Sequence, residues 1–452
     1  MYMTAEKKTI LIISHDKIGD NMAGPGIRYH HMANFLSKDF HVTVGFFDPT
    51  YLPDDKFSRS YDIAHVDVPK FREQFNNKDI IISMWLGDEM MEYCKENGIF
   101  VTFDMYAPVP VENLSLYLFS GDSITANTDY SYRQSYCLYE KFFQYGDLFL
   151  LSNRRQLDYW MGYAFGTSQI SVSGYKKRPL FDRFILAPMG IDSSQELKHT
   201  KSVMRGEIPG INQDDKVILW TGGIWNWFDA QTLIRAMGIL KPKRPDIKLV
   251  FFGVKHPNPD VPAMQEASDT IALARRLELL NETVFVHEDW VPYHDRLNYL
   301  LEADAAVNTT KDTIESEMSH RTRVLDHLLA TLPTIATSGD YLSDEVIKPK
   351  DLGIVVPPND ADRLAESIIE IVDDNNNKRI RKNISEIRAE YDWSQTLYDL
   401  KMMLLSGVDK LPFNEPIKPR DIPKDKLYFK IAKKIIPAPV KKILIRTFRY
   451  GR

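Results

Sequence analysis

The sequence predicts an α/β protein with two doubly wound, Rossmann-like domains that face each other across a cleft. Short, almost continuously apolar segments alternate with amphipathic ones, as in a parallel sheet covered by helices on both faces. The alternation occurs twice, before and after a segment rich in Gly, Pro, Asn and Asp at residues 204–215, which is predicted to be a linker. A chain of 452 residues is also too long for one ordinary core.

The first series of apolar segments supplies the N-terminal domain, which we place at residues 1–205. Strands are expected at residues 9–14, 41–47, 79–83, 99–104 and 147–151. A loop at residues 19–25 and a helix at residues 26–36 follow the first strand. Because ligands in such sheets bind at the carboxyl ends of the strands, polar residues directly after these strands are candidates for a site.

The second series supplies the C-terminal domain, which we place at residues 206–390. Strands are expected at residues 216–221, 248–253, 283–287, 305–308, 334–337 and 353–356. Gly222 and Gly223 follow the first of these strands, and the next helix is expected directly after them, running through Leu240. Another helix is expected around residues 263–280. The only Asp-x-Asp, which begins at Asp360, is predicted to be a helix N-cap.

Residues 315–337 carry the most informative group of charged side chains. The segment places Glu315, Arg321, Arg323 and Asp326 near the start of one predicted amphipathic helix, which leads through a Leu-Pro turn to a strand. Carboxylates accept hydrogen bonds from sugar or ribose hydroxyls, and the planar guanidinium fork matches phosphate oxygens. The segment therefore indicates a nucleotide-sugar site.

Composition predicts a cytoplasmic protein. Hydrophobic residues make up 44% and charged residues 26%, as in soluble globular proteins. The two cysteines form no disulfide framework and match no metal-ligand spacing, which is typical of a reducing compartment. Neither a signal-peptide core nor an apolar run of about 18 residues occurs.

The C-terminal tail is strongly basic. Residues 424–452 contain ten Lys or Arg and one acid, a local charge of +9, so the preceding residues carry −14 by difference from the net −5. Two segments within it, residues 427–436 and 440–449, have apolar and basic residues at helical spacing. Such helices bind anionic bilayers, with roughly 1 kcal/mol per Lys or Arg. We expect peripheral binding to the inner face of the plasma membrane; a solvated tail or a helix packed on a partner is the alternative.

The chain resembles the GT-B glycosyltransferases, and most closely the retaining enzymes of family 4 that build bacterial surface polysaccharides. The likeness covers roughly residues 9–405. Its motifs are the glycine pair, the Trp-Val-Pro-Tyr at residues 290–293, the charged helix with its Leu-Pro turn, and residues 353–360. It implies hexosyl or deoxyhexosyl transfer from a nucleotide-diphosphate sugar to a glycan or polyprenyl-linked acceptor. Retention, no metal or other cofactor, and no nucleic-acid partner are implied as well.

The resemblance assigns donor-binding roles in the C-terminal domain. Gly222 and Gly223 correspond to the diphosphate loop, although a plain tight turn is the other interpretation of this pair. Asp326 corresponds to the acid at the ribose hydroxyls. Trp290 and Val291 lie where the family holds the nucleotide base, although Trp290 also fits a core position.

Glu315 is our candidate for the family's first acid, at the donor sugar or phosphate, and Glu317 is the alternative. The distance in sequence from Glu315 to Asp326 is longer than usual in the family. A solvated acidic helix start is the other interpretation of Glu315.

The sequence departs from the family in its phosphate-binding cations. Many relatives carry an Arg and a Lys after the first strand of the C-terminal domain, whereas residues 223–229 contain neither. Because a leaving diphosphate needs a compensating cation, we expect Arg321, Arg323 or Lys255 to take that role. Salt bridges to neighbouring acids are the alternative role of the two arginines.

On the acceptor side, Gly24, Gly26 and Arg28 resemble the family loop that meets donor phosphate or acceptor. His15 and Tyr106 follow predicted strands and are expected to face the same cleft.

Asp104, at the end of a strand, is a candidate for orienting or deprotonating an acceptor hydroxyl, or for capping a turn. Residues 391–408 resemble the crossover helix that returns to the N-terminal domain, and residues 409–452 are expected to form a linker and the basic tail.

Three other functions fit parts of the sequence. A catalytically silent GT-B partner subunit that binds glycan or a partner enzyme is consistent with the missing cation pair. A nucleotide-sugar epimerase shares the fold but needs no basic tail. A dinucleotide-dependent dehydrogenase is disfavoured because no Gly-x-Gly-x-x-Gly follows a predicted strand with an acid about 20 residues later.

Overall fold

A computed structural model describes residues 7–48, 51, 58–167, 169–177, 180–254, 261 and 263–406. These residues fall within one compact unit that contains two parallel β-sheets. The predicted linker and tail at residues 409–452, including the expected membrane-binding residues 424–452, lie outside the described residues, as does Lys255. Among the described helices, none is both long and apolar enough to cross a bilayer.

The first sheet has seven strands and the second has six, and all neighbouring strands are parallel. The first sheet contains β1 (Thr9–Ser14), β2 (His41–Phe46), β3 (Asp62–His65), β4 (Ile80–Ser83), β5 (Phe100–Asp104), β6 (Leu148–Leu151) and β7 (Phe184–Leu186). The second contains β8 (Lys216–Thr221), β9 (Ile247–Phe252), β10 (Val284–His287), β11 (Ala305–Asn308), β12 (Thr334–Thr337) and β13 (Gly353–Val356).

The α-helices connect and cover these strands. In the first half they are α1 (Gly24–Leu36), α2 (Phe71–Phe75), α3 (Asp88–Glu96), α4 (Val109–Leu118), α5 (Ala126–Tyr145), α6 (Arg154–Gly166) and α7 (Val172–Lys177). In the second half they are α8 (Ala230–Leu240), α9 (Gln265–Arg276), α10 (Arg296–Glu302), α11 (Ile314–Met318), α12 (Thr322–Leu329), α13 (Ala361–Val372), α14 (Asp374–Ile387), α15 (Trp393–Thr396) and α16 (Tyr398–Leu405).

Both sheets are doubly wound. The strand order is β3-β2-β1-β4-β5-β6-β7 in the first and β10-β9-β8-β11-β12-β13 in the second. The order therefore reverses between β1 and β4 and between β8 and β11, and a crevice opens at the carboxyl ends of the strands at each reversal. His15, after β1, and Gly222, after β8, lie at these two positions.

Strand β1 shows why the apolar runs are continuous. Ile10 and Ile12 belong to one hydrophobic cluster, Leu11 and Ile13 belong to another, and all four are fully buried. Successive side chains of a strand point to opposite faces. A strand covered on both faces must therefore be apolar at every position, as the sequence predicted.

Several predicted boundaries were wrong. Helix α1 begins at Gly24 rather than at residue 26, with Pro25 in its first turn, where the missing proline N–H costs no hydrogen bond. The helix predicted at residues 263–280 spans only Gln265–Arg276. Strands β3 and β7 were not predicted, because both are short edge strands with exposed positions.

The helix expected directly after the glycine pair begins only at Ala230, with the Asp229 side chain as its N-cap. Gly222 and Gly223 therefore lie in a loop and not at a helix N-terminus. By contrast, the N-cap predicted at Asp360 is confirmed, since its carboxylate accepts the Arg363 N–H at 2.9 Å.

The charged segment is also not one helix. Helix α11 ends where Ser319 takes an extended conformation, and α12 begins after Arg321, its N-cap residue. The backbone therefore turns a corner between Glu315 and Asp326, and the side chains on either side of that corner have different surroundings.

Residues 204–215 pack on the second sheet and do not form a free spacer. Met204 and Ile211 are buried in the same cluster as β8 residues. The Glu302 carboxylate accepts the backbone N–H groups of residues 203–205 at 2.7 to 3.1 Å.

The two sheets are joined on both sides of the cleft between them. The Tyr293 N–H donates to the Asp20 carbonyl at 2.7 Å, and the Tyr293 hydroxyl lies 3.0 Å from His31 Nε2. On the other side, the amides of Asn153 and Gln156 donate to the Met318 carbonyl. After α14 the chain returns to the first sheet, where α16 packs against β7.

Candidate active site between the two sheets

A cleft of about 350 Å³ lies between the carboxyl ends of the two sheets. The first domain contributes Gly24, Pro25 and His31 to its wall, and the chain returning after α14 contributes Trp393. Residues 189–192 and Gln195, also from the first domain, line the cleft as well. The second domain contributes, among others, Thr221, Gly222, Gly223, Trp225, Gly253, Trp290, Val291, Tyr293, Arg296, Arg323 and Asp326. Seven of the residues predicted from the sequence therefore line one cavity: Gly24, Gly222, Gly223, Trp290, Val291, Arg323 and Asp326.

The loop after β8 leaves its backbone open to the cleft. Gly222 has φ +77°, in the region that favours glycine, and a Cβ added there would meet no atom within 4 Å. Gly253, directly after β9, lies beside the Trp290 ring. A Cβ added to Gly253 would lie 3.6 Å from a carbon of that ring. A ligand can thus approach the Gly222 backbone closely, with the indole of Trp290 beside it.

Arg323, like Arg296, is a cation in the wall of this cleft. One terminal nitrogen, Nη2, donates to the Gly223 carbonyl at 2.6 Å, while Nη1 is buried without a hydrogen-bond partner in the described part of the chain. Its guanidinium also lies 4.0 Å from the centre of the Phe228 ring. Burial and the charge of Arg321 lower the pKa of Arg323 to about 9, so it remains a cation at neutral pH. Nη2 therefore fixes the Arg323 guanidinium beside the glycine loop, where its positive charge faces the cleft.

Asp326 lies at the same wall, with its carboxylate 28% exposed. Its Oδ1 is 3.0 Å from Arg296 Nη1, and the Arg296 guanidinium stacks 3.8 Å from the centre of the Tyr293 ring. Burial raises the pKa of Asp326, against the opposing charges of Arg296 and Arg323. The arrangement holds one carboxylate edge in place and leaves acceptor capacity for a hydroxyl pair.

Glu315 and Arg321 form a closed pair away from the cleft wall. Arg321 donates Nη1 and Nη2 to the two carboxylate oxygens at 2.9 and 2.7 Å, and Ser319 donates a third hydrogen bond to Glu315. Glu315 is 0% and Arg321 5% exposed. Burial alone would lower the pKa of Arg321, but the charge and hydrogen bonds of Glu315 raise it above its usual value. Glu317, the alternative first acid, is exposed on α11.

A second closed pair lies in the first domain. Arg28 donates to both oxygens of Asp104, at 2.6 and 2.8 Å, and both side chains are fully buried. The guanidinium packs over the Tyr106 ring at 4.7 Å. None of these three lines the cleft, so Asp104 is bound to Arg28 and not poised toward an acceptor.

The remaining two predicted residues, His15 and Gly26, contact other parts of the first domain and do not line the cleft. His15 Nε2 lies 3.2 Å from both the Ser83 hydroxyl and the Trp85 carbonyl, so it bridges the ends of β1 and β4. Gly26 is packed against the chain, since a Cβ there would come within 2.2 Å of the Lys17 carbonyl oxygen. Its role is therefore to allow close packing of the loop before α1.

Several buried polar groups near the two closed pairs have no hydrogen-bond partner among the described residues or have a strongly shifted pKa. Arg28 Nη1 and both ring nitrogens of His320 are buried without hydrogen bonds in the described residues. Burial and the charge of Arg28 lower the pKa of His320 to about 3. Burial and the charge of Glu315 raise the pKa of Glu112, on α4, to about 8. These groups come from both domains, and their burial and shifted pKa values depend on the contact between the two domains.

Sequence reasoning missed several of these residues. Arg296 and Tyr293 hold Asp326, and a weak signal for them was available: an arginine follows the Trp-Val-Pro-Tyr motif by three residues. His320 and Glu112 carried no signal, because their environment is created by contacts between α4 and α11. Within the described residues no group of three His, Cys, Asp or Glu side chains is arranged to hold a metal ion.

A family model matches the second half of the described chain. Residues 206–387 match the family model for glycosyl transferases group 1. These residues include the whole second sheet and all the cleft residues it carries. A search of curated proteins found no match to the chain.

Solved structures with the same fold cover nearly all the described chain. Sucrose-phosphate synthase from Thermosynechococcus elongatus is 16% identical, with TM-score 0.65, covering 88% of this chain and 99% of its own. WaaG, a glycosyltransferase involved in lipopolysaccharide biosynthesis, is 13% identical, with TM-score 0.60 and coverage of 87% and 99%. Anabaena HepE in complex with UDP-glucose is 13% identical, with TM-score 0.56 and coverage of 88% and 99%.

The chain therefore has the GT-B glycosyltransferase fold, as the sequence predicted. The roles of the individual site residues stay predictions.

Proposed function

We propose that the protein is a glycosyltransferase that moves a hexosyl or deoxyhexosyl group from a nucleotide-diphosphate sugar to a glycan or polyprenyl-linked acceptor. The observation that carries the proposal is the common cleft of Gly222, Arg323 and Asp326, where open backbone, a guanidinium cation and a carboxylate meet. HepE, which shares the fold, has been solved with UDP-glucose. A nucleotide-diphosphate sugar is the donor class that this group of side chains suits.

In this proposal the two halves of the donor meet different side chains. The diphosphate lies beside Gly222, where the Arg323 guanidinium offsets the negative charge that develops on the diphosphate as its bond to the sugar breaks. Asp326 accepts hydrogen bonds from the ribose hydroxyls, and Trp290 packs against the base. The acceptor oxygen attacks the anomeric carbon from the face that the diphosphate leaves, and its proton passes to the departing phosphate, so transfer proceeds with retention and needs no protein base. Arg323, and not a metal ion, offsets the charge of the leaving diphosphate in this proposal. The context is cell-surface polysaccharide synthesis, in the cytoplasm at the membrane.

Nucleotide binding tests the proposal directly. We expect at least one nucleoside diphosphate or nucleotide sugar to raise the melting temperature by a few degrees, because a ligand at a hundred times its Kd adds about 2.7 kcal/mol. Asp326→Ala should weaken that ligand roughly 10- to 100-fold, the cost of a hydrogen bond to a charged group. Asp399→Ala, at an exposed site on α16, is the matched control. If no nucleotide or nucleotide sugar stabilises the wild-type protein, the proposal is wrong.

A catalytically silent partner subunit is the second candidate. The observation that favours it is that Asp104 and Glu315, the two acids predicted to be catalytic, are both closed in buried ion pairs. Release of nucleoside diphosphate from the bound donor separates the two functions. An enzyme releases it at least slowly by hydrolysis and faster with acceptor, whereas a silent subunit binds the donor and leaves it intact.

A further inference from the structure

A second groove lies on another side of the contact between the domains. It has a volume of about 410 Å³ and is formed by α4, the start of α5, the loop after β8 and the residues before α9. We call it the α4 groove and define it by Asn113, Tyr117, Ser123, Thr128, Asn226 and Met264. Since Asn113 and Tyr117 are four residues apart on α4, they share one face of that helix.

The lining of the α4 groove suits a neutral ligand rich in hydroxyl groups. Among the described lining residues, the polar side chains are amides and hydroxyls, each able to donate or accept hydrogen bonds, and Asp122 is the one charged residue. None of these described residues is a cation that could pair with a phosphate or carboxylate. Tyr117, 37% exposed, supplies an aromatic ring with a polar tip, and Met264 supplies an apolar contact. A sugar ring, with hydroxyl edges and apolar C–H faces, has the complementary chemistry.

Asn226 offers a fixed donor in this groove. Only 3% of the residue is exposed, and its Oδ1 accepts the Glu266 N–H at 3.2 Å, which fixes the orientation of the amide. Its Nδ2 makes no hydrogen bond within the described chain, nor does the side-chain amide of Asn113. Ligand sites commonly use a few such preplaced polar groups to orient a ligand.

The groove adjoins the nucleotide cleft through one loop. Trp225 lines the cleft, and the next residue, Asn226, lines the α4 groove. The Trp225 ring stacks on Trp227 with 5.0 Å between centroids and 5° between planes, which stiffens the loop between the two spaces. We propose that the α4 groove binds a neutral oligosaccharide segment of the acceptor, away from the accepting hydroxyl. This inference rests on the proposed function, and it adds a substrate class and a site.

A glycan array that carries neutral and acidic bacterial oligosaccharides tests the inference on the full chain. The variants are Tyr117→Ala and Asn226→Asp, the latter keeping the oxygen that accepts the Glu266 N–H while removing the Nδ2 donor. Tyr130→Ala is the control, because Tyr130 is 61% exposed on α5 and does not line the groove. We expect wild type and control to retain neutral oligosaccharides, and each groove variant to retain them roughly fivefold less, as for one lost hydrogen bond or ring contact.

Three results would overturn the inference: no neutral oligosaccharide retained, retention of acidic ones alone, or equal retention by groove variants and control. Melting temperatures with nucleoside diphosphates, measured on the same preparations, separate this failure from that of the proposed function. If nucleotides still stabilise the protein while neutral glycans are not retained, only the groove assignment fails. If nucleotides give no stabilisation either, the proposed function fails as well.

Discussion

Arg321 and Arg323 are separated by one residue, yet their environments are opposite. Arg321 directs two donors at Glu315 and is almost fully buried, so its charge is neutralised inside the protein. Arg323 faces the cleft, gives one hydrogen bond to a backbone carbonyl and keeps Nη1 without a partner among the described residues. Whether an arginine can bind a ligand is therefore decided by the partners of its guanidinium group and not by its place in a sequence motif.

The first domain repeats the closed arrangement. Arg28 and Asp104 form a fully buried bidentate pair, just as Arg321 and Glu315 do. Burying two charges carries a large desolvation penalty, which good geometry offsets only in part. The charges of the two closed pairs are therefore satisfied inside each domain, whereas Arg323 lies in the wall of the cleft.

The largest expected effect is a loss of folding stability when the closed pair of Glu315 and Arg321 is broken. Glu315→Ala leaves Arg321 buried and unpaired, which should lower the free energy of unfolding by about 3–5 kcal/mol. Urea denaturation measures it. Glu366→Ala, which removes an exposed partner of Arg363, is the control and should change stability by less than about 1 kcal/mol.

The opposite pattern would support the role implied by the family resemblance. If Glu315→Ala unfolds at the same urea concentration as the Glu366→Ala control but loses sugar transfer, then Glu315 acts on the substrate. The closed-pair interpretation would then be wrong.

The second-largest expected effect is a loss of nucleoside diphosphate affinity when Arg323 is replaced. Arg323→Ala should weaken a nucleoside diphosphate by about 1.5–3 kcal/mol, roughly 10- to 100-fold, because a charged donor to the phosphates is lost. The matching nucleoside should bind almost unchanged, since it has no phosphate for Arg323 to meet. Isothermal titration of both ligands measures the difference.

Arg276→Ala, an exposed arginine at the end of α9, is the matched control for charge and should leave both affinities unchanged. Equal weakening of the nucleoside and the diphosphate by Arg323→Ala would show that Arg323 shapes the cleft and does not bind phosphate.

The smallest effect, when it is followed only from pH 7 to 8, is the pH dependence of stability that Glu112 causes beside the closed pair. The folded state raises the pKa of Glu112 to about 8 from an ordinary value of 4.5, so between these pH values the folded protein holds a proton that the unfolded chain has lost. Stability should therefore fall as pH rises through this window, by at most about 1.4 kcal/mol per pH unit, and level off above it.

Glu112→Gln should remove this slope. The comparison is cleanest from pH 7 to 8, because buried His31, His320 and His327, whose pKa values are lowered to about 3, have the opposite effect and finish near pH 6.5. Parallel stability curves for wild type and Glu112→Gln in that range would show that Glu112 is ionised in the folded protein.

The sequence predicted which residues line the cleft better than it predicted which charged side chains are free to act there. Gly222 was found because it follows the first strand of the second sheet, at a position that topology fixes. Trp290 and Asp326 were found through the resemblance of their motifs to the glycosyltransferase family. Asp104 also follows a strand, but its carboxylate turns to Arg28, 76 residues away in sequence. Strand ends can be predicted from local patterns, whereas the partner of a buried charge depends on contacts distant in the chain.

By itself, the sequence determined the two parallel sheets and the glycine loop, because continuous apolar strands and flexible glycines act through local physical chemistry. Only the tertiary structure decided which arginine serves the cleft. The chain turns at Ser319, directs Arg321 back to Glu315, and leaves Arg323 beside Gly223. A charge is neutralised by whichever group lies within a few ångströms, and the spacing of residues along the chain does not contain that distance.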